Sequence, residues 1–107
     1  MRRPRVEIFY FEGCENHEGT RALVERVAAE LKVEPEIALV QVADAEAAVQ
    51  RRFLGSPTVR VDGRDVEPGA EKRSDFGLSC RVYRSEHGFS GQPDAGWVRE
   101  ALSKAAA

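Results

Sequence analysis

The chain has 107 residues, hydrophobic residues at 42% of its positions and a formal net charge of −2 at pH 7. This length and composition predict one globular domain, residues 1–107, with an ordinary hydrophobic core. The small negative charge gives no electrostatic support for binding to nucleic acid, so we expect no nucleic-acid partner.

The expected cellular location follows from two further features of the sequence. No apolar stretch approaches the length that spans a bilayer, and no apolar signal-peptide core follows the basic first residues. We therefore expect a cytoplasmic protein that makes no membrane contact. In that reducing compartment the two cysteines, Cys14 and Cys80, are expected to serve chemistry rather than a structural disulfide.

The first predicted element is a strand at residues 6–11, which is rich in β-branched and aromatic residues and apolar on both faces except at Glu7. A helix is predicted from about residue 15 to 32, because apolar residues recur at helical spacing within it. Cys14 lies where the strand passes into the helix. The unpaired N–H groups at a helix N-terminus favour a thiolate over a thiol, but alone they lower the pKa of a cysteine by less than about one unit.

The surroundings of Cys14 leave the direction of its net pKa shift open. His17 lies one turn further on and is expected to donate a hydrogen bond to the sulfur. Three glutamates, Glu12, Glu15 and Glu18, would oppose the thiolate if they point at it. The alternative is that Cys14 is a small core residue without chemical activity.

A second strand is predicted at residues 36–42, where the loss of strict alternation suggests burial on both faces. Asp44 is a plausible N-cap for a short helix from residue 45 to about 53. We expect Ala48, Val49 and Phe53 to face the core from this helix.

The clearest local signal is a hairpin, formed by a strand at residues 58–61, the turn Asp62-Gly63 and a strand at residues 64–66. The Asp-Gly pair is typical of a type I′ turn. The last helix is predicted from residue 94 to about 104. Between the hairpin and this helix lies an insert, residues 71–93.

The insert is too long to be a simple loop, since structureless loops longer than about 12–15 residues are uncommon in compact domains. Within it we expect a helical turn at residues 74–78, a short strand at 81–84 and a turn at 86–88. Cys80 lies in this insert. It is either a buried packing residue or a second thiol that the insert brings to Cys14.

Two segments carry a resemblance to a known family. The strand at residues 6–11, followed by Gly13-Cys14-Glu15-Asn16-His17 and an amphipathic helix, resembles the active-site segment of the thioredoxin superfamily. The segment Gly55-Ser56-Pro57-Thr58-Val59 and its hairpin are similar to the Pro-Thr strand of that family. His17 stands where the family has its second cysteine, so the motif is C-x-x-H in place of C-x-x-C.

The resemblance implies a fold and a set of roles. The fold would be α/β, with the order βαβαββα and a mixed four-stranded sheet in the order 2-1-3-4, flanked by helices and with the insert before the last helix. Cys14 would be the nucleophile, and the bond before Pro57 would be cis. The main chain at Ser56 and Thr58 would form a substrate-facing wall.

The leading functional prediction is therefore a thiol-dependent redox protein, with thiol–disulfide oxidoreductase activity toward a protein or small-molecule thiol or disulfide. It needs no cofactor, and no permanently bound metal is expected. The predicted catalytic residues are Cys14, His17 and, as a resolving thiol, Cys80. The predicted substrate-binding residues are Ser56, Pro57 and Thr58.

The alternative is a non-catalytic module that binds a partner or a soft metal through its two thiols. The Ser-Pro-Thr at residues 56–58 is also similar to a segment of the organomercurial lyases, which hold mercury with cysteine pairs. That resemblance implies capture of mercury by Cys14 and Cys80. Glu15 and Glu18 stand where the lyases have an aspartate near their first cysteine.

Overall fold

A parallel strand–helix–strand unit forms the first part of the fold. In the computed structural model, which describes residues 3–107, β1 (Arg5–Tyr10) is followed by α1 (Asn16–Leu31) and β2 (Glu36–Gln41). β1 and β2 pair in parallel. The helix ends at Lys32, which has a left-handed conformation and donates its N–H to carbonyl groups of the last turn. The bounds of these three elements agree with the sequence prediction to within one residue at each end.

The second helix begins where its capping residue predicts. α2 (Ala45–Gln50) follows Asp44, whose Oδ1 accepts the N–H of Ala47 at 2.8 Å. The helix ends before the predicted boundary near residue 53. Phe53 is fully buried, but Val49 is 60% exposed, so the prediction that Val49 faces the core is wrong.

The predicted hairpin is confirmed. β3 (Thr58–Val61) pairs antiparallel with β1 and with β4 (Arg64–Asp65). Asp62 and Gly63 have φ angles of 51° and 85°, as a type I′ turn requires at both central positions.

The sheet has the order β2-β1-β3-β4. A mixed four-stranded sheet in an α/β protein is therefore confirmed, and β1 lies inside the sheet, as its apolar sequence predicts. The expectation that β2 is buried on both faces is wrong, because β2 is an edge strand and Leu39 within it is 40% exposed. Apolar residues in a short run do not distinguish an edge strand from a central one.

The insert forms a second, smaller sheet. After a 3₁₀ turn at Ala70–Lys72, β5 (Tyr83–Ser85) and β6 (Gly88–Ser90) pair antiparallel, with the predicted turn between them. The predicted helical turn at residues 74–78 does not form. In that stretch the Gly77 N–H donates to the carbonyl oxygen of Phe53 at 3.0 Å, so the segment is tied to the chain that follows α2.

The last helix, α3 (Ala95–Ala106), begins after Asp94, whose side chain accepts the N–H of Gly96. The main core lies between α1, α3 and the sheet, and a smaller cluster on the other sheet face lies under α2. Successive side chains of β1 point to opposite faces of the sheet. Ile8 therefore belongs to the main core and Phe9 to the smaller cluster. Among residues 3–107, no helix is long and apolar enough to cross a bilayer.

Candidate functional site

Cys14 lies between β1 and α1 and is buried, with 3% of its surface exposed. The chain turns into this position at Gly13, whose φ of 103° is in the region that favours glycine. The Cys14 N–H donates to the carbonyl oxygen of Phe11 at 3.3 Å, and the thiol donates to the carbonyl oxygen of Ser56 at 3.5 Å. The turn and the Ser56 carbonyl therefore fix the sulfur beside the residues that precede β3.

His17 contacts the main chain of Cys14 rather than its sulfur. Its Nδ1 lies 2.7 Å from the Cys14 carbonyl oxygen. A carbonyl oxygen can only accept, so Nδ1 carries the proton and donates. The ring also stacks on Tyr10, with centroids 4.2 Å apart. The predicted hydrogen bond from His17 to the sulfur is not formed, because the ring, three residues along the chain, reaches back to the carbonyl group.

The three glutamates near Cys14 in the sequence remain on the surface. Glu15 precedes α1 and makes no side-chain capping hydrogen bond. Solvent screens charges at exposed positions, so these carboxylates contribute little to the electrostatics of the site. The exposed residues are Glu12, Glu15 and Glu18.

The predicted substrate wall is buried. The peptide bond between Ser56 and Pro57 is cis, as the resemblance implies. Ser56, Pro57 and Thr58 are all buried, and the Thr58 hydroxyl donates to the Gly55 carbonyl oxygen at 2.6 Å. These side chains therefore offer no surface to a substrate.

The main chain of Ser56 is paired with the insert. Its N–H donates to the carbonyl oxygen of Ser79, and its carbonyl oxygen accepts the N–H of Arg81, both at 2.8 Å. Ser56 and Cys80 thus form a parallel β-bridge. The main chain of Ser56, which the resemblance implies would face a substrate, therefore already forms its hydrogen bonds with the insert.

The bridge places Cys80 next to Ser56, whose carbonyl oxygen also accepts the Cys14 thiol. Cys80 is exposed, so the interpretation of Cys80 as a buried packing residue is wrong. A hydrogen bond with Cys14 and repulsion from a negative charge on Cys14 raise the pKa of the Cys80 thiol. Both cysteines are free thiols. The site is therefore a pair of unbonded thiols, one buried and one exposed, from segments 66 positions apart in the sequence.

Arg81 anchors the segment that carries Cys80. Its guanidinium side chain is 1% exposed and forms ion pairs with Asp65 at 2.8 Å and with Glu67 at 2.6 Å. It also donates to the Thr58 hydroxyl at 3.0 Å and lies over the ring of Tyr83. Burial alone lowers the pKa of Arg81, but the carboxylate partners outweigh it and raise the pKa.

Sequence reasoning missed Arg81. One signal was present: Asp65 and Glu67 flank the buried Val66 two positions apart, and in an extended chain such residues lie on one face. Two carboxylates on one face favour a cation between them. Nothing in the sequence indicates which of the chain's arginines supplies it.

No metal cluster is found in the part of the chain that the structure describes, where no three His, Cys, Asp or Glu side chains come together as ligands. The two thiols alone could hold an ion that accepts two sulfur ligands. A scan against protein-family models finds no match, and a search of curated proteins finds none either. The chemistry of the site is therefore argued from its geometry.

Proposed function

We propose that this protein is a dithiol–disulfide exchange protein of thioredoxin-like type, with Cys14 and Cys80 as its redox couple. The observation that carries the proposal is the pairing of Ser56 with Cys80, because the carbonyl oxygen of the same Ser56 accepts the Cys14 thiol. Three features support the family assignment: the strand order, the cis bond before Pro57, and the position of Cys14 at the start of α1. A cytoplasmic setting, which keeps thiols reduced, suits such a couple.

The exchange proceeds through two thiol attacks. The thiolate of one cysteine attacks a substrate disulfide, which forms a mixed disulfide and releases the first substrate thiol. The second cysteine then attacks the protein sulfur of that mixed disulfide and releases the second substrate thiol. The protein pair loses two electrons and two protons, and the substrate disulfide gains them. A thiol reductant reverses the reaction.

The exposure of the two sulfurs decides which one meets the substrate first. For each unit by which the pKa of the Cys80 thiol is raised, the fraction present as thiolate falls about tenfold, and the nucleophilicity of that thiolate rises about threefold. The burial of Cys14 is a larger obstacle to first attack, because an attacking sulfur needs open space in line with the two substrate sulfurs. We therefore assign first attack to Cys80 and resolution to Cys14, which reverses the roles expected from the sequence.

The test uses single-cysteine variants and oxidised glutathione. Cys14→Ser should accumulate a glutathione mixed disulfide at Cys80, because no second thiol resolves it. Cys80→Ser should form a mixed disulfide at Cys14 much more slowly. Mass spectrometry of the two variants measures both rates. Equal rates would contradict the assigned roles, and no mixed disulfide in either variant would contradict the proposed function.

The second candidate function is capture of a soft metal ion, and the same thiol pair favours it. Two thiolates without a third ligand suit an ion that is stable with two sulfur ligands, such as mercury. Binding should saturate at one mercury ion per protein and fail in both single-cysteine variants in competition with dithiothreitol. A binding module would show this saturation without catalysing exchange between glutathione and a disulfide.

A further inference from the structure

We infer that the site, if it acts in thiol–disulfide exchange as proposed, takes small disulfides and offers an extended polypeptide chain no main-chain binding position. The inference rests on the proposed function and adds its substrate class. It follows from the backbone beside the thiols. An extended peptide binds at such a position by forming main-chain hydrogen bonds to unpaired N–H and C=O groups.

The backbone beside Cys14 has these groups occupied. The Ser56 N–H donates to Ser79, and the Ser56 carbonyl accepts from both Arg81 and the Cys14 thiol. The next carbonyl group, that of Pro57, accepts the hydroxyl of Tyr83, and proline has no N–H. The insert therefore fills the position that a bound peptide would take.

The filling segment is packed closely against the chain. A Cβ atom at Gly55 would lie 2.9 Å from the Ser79 carbonyl oxygen and 3.0 Å from the Arg81 Cβ. Only glycine allows this approach, and Gly55 also has a φ of 119°. The ion pairs of Arg81 with Asp65 and Glu67 hold the segment from the other side. A peptide would have to break these buried ion pairs to reach Ser56.

A small disulfide does not meet this obstacle. It needs only to bring one sulfur to the exposed Cys80 thiol, and its second half can leave into solvent. Cys14 is buried beside Ser56, the residue to which Cys80 is bridged, and would then attack the resulting mixed disulfide. The site thus suits disulfides of low-molecular-weight thiols.

The experiment compares two substrates with the same reacting atoms. One is the 2-hydroxyethyl mixed disulfide of N-acetylcysteine amide. The other is the same mixed disulfide on the single cysteine of an extended peptide with several residues on either side. Release of thiol by the reduced full-length protein is followed for both. We expect the peptide to react no faster than the small substrate, because its flanking residues gain no main-chain hydrogen bonds.

The outcomes separate the two claims. A peptide that reacts about tenfold faster or more would overturn the inference, because that gain indicates main-chain pairing with the site. Such a result would leave the proposed function in place. No release of thiol from either substrate would overturn the proposed function, and the substrate class would fall with it.

A second measurement does not depend on turnover. The amide protons of Ser56 and Arg81 are in main-chain hydrogen bonds, so they should exchange slowly with solvent. A large excess of the reduced peptide should leave their exchange rates and chemical shifts unchanged. Fast exchange of both amides would overturn the inference. The double variant Asp65→Asn, Glu67→Gln weakens the hold on Arg81, and we expect it to raise the rate with the peptide relative to the small substrate.

Discussion

Arg81 is the residue on which the position of Cys80 depends, and its removal should destabilise the fold. Arg81→Met keeps the length of the side chain but leaves Asp65 and Glu67 without their buried partner. Loss of one partner from a buried ion pair costs about 3–5 kcal/mol. Urea unfolding of the reduced protein measures this loss of unfolding free energy.

The control for Arg81→Met is Arg73→Met. Arg73 also contacts Glu67, but it is partly exposed and its closest ion pair is with the exposed Asp75. Such a pair contributes about 1 kcal/mol or less. Equal losses in the two variants would mean that burial of Arg81 has no special role.

His17 should stabilise the turn that carries Cys14. His17→Phe preserves an aromatic ring for the stack on Tyr10 and removes the hydrogen bond to the Cys14 carbonyl oxygen. A hydrogen bond of this kind contributes about 1 kcal/mol net. Urea unfolding should show a loss of this size, and an unchanged unfolding free energy would remove His17 from the structure of the site.

At the scale of elements, an ion pair joins the β5–β6 turn to the start of α3. His87 Nδ1 lies 2.9 Å from Asp94 Oδ1. The hydrogen bond to Asp94 raises the pKa of His87, and the same bond lowers the pKa of Asp94. The pair therefore makes the anchorage of the hairpin depend on pH.

The sign of this dependence follows from the two shifts. The His87 contribution is fully present below its unfolded pKa near 6.5 and is lost as pH rises through the folded value. The Asp94 contribution is present above its unfolded pKa near 3.9 and is lost as pH falls through the folded value. The difference in unfolding free energy between the protein and His87→Gln should therefore be largest between about pH 4 and 6.5 and shrink at higher pH. A difference that grows from pH 6.5 to 8.5 would contradict this.

Elements with strong local signals could be predicted from the sequence. The Asp62-Gly63 turn and the Asp44 cap are examples, because turn and cap chemistry depends on adjacent residues. The exposure of Leu39 could not be predicted, since it depends on which strand lies at the edge of the sheet. The position of Cys14 between the first strand and the first helix, beside the Ser-Pro-Thr segment, could also be predicted from the sequence.

The rest of the site depends on long-range pairing. The bridge between Ser56 and Cys80 joins residues that no local pattern connects, and the insert that supplies it has only three-residue strands. The contact of His17 with a carbonyl group, and not with sulfur, depends on side-chain geometry in the first turn of α1. These features could be found only in three dimensions.

At the scale of the whole molecule, oxidation should stabilise the protein. A Cys14–Cys80 disulfide would close a loop that contains most of the sheet and both preceding helices. The chain-entropy model gives about 4 kcal/mol for a loop of this length. Urea unfolding with and without reductant measures the difference, and Cys80→Ser should show none. A less stable oxidised protein would mean that the disulfide distorts the native fold.

The central claim is that Cys14 and Cys80 form one redox couple, and intact mass after mild oxidation and alkylation tests it most directly. The account predicts a monomer two hydrogens lighter than the reduced chain, with no alkyl groups added before reduction and two added after it. Two alkyl groups added without reduction would mean that the thiols do not pair. That result would contradict the account and leave a one-cysteine mechanism or a binding module.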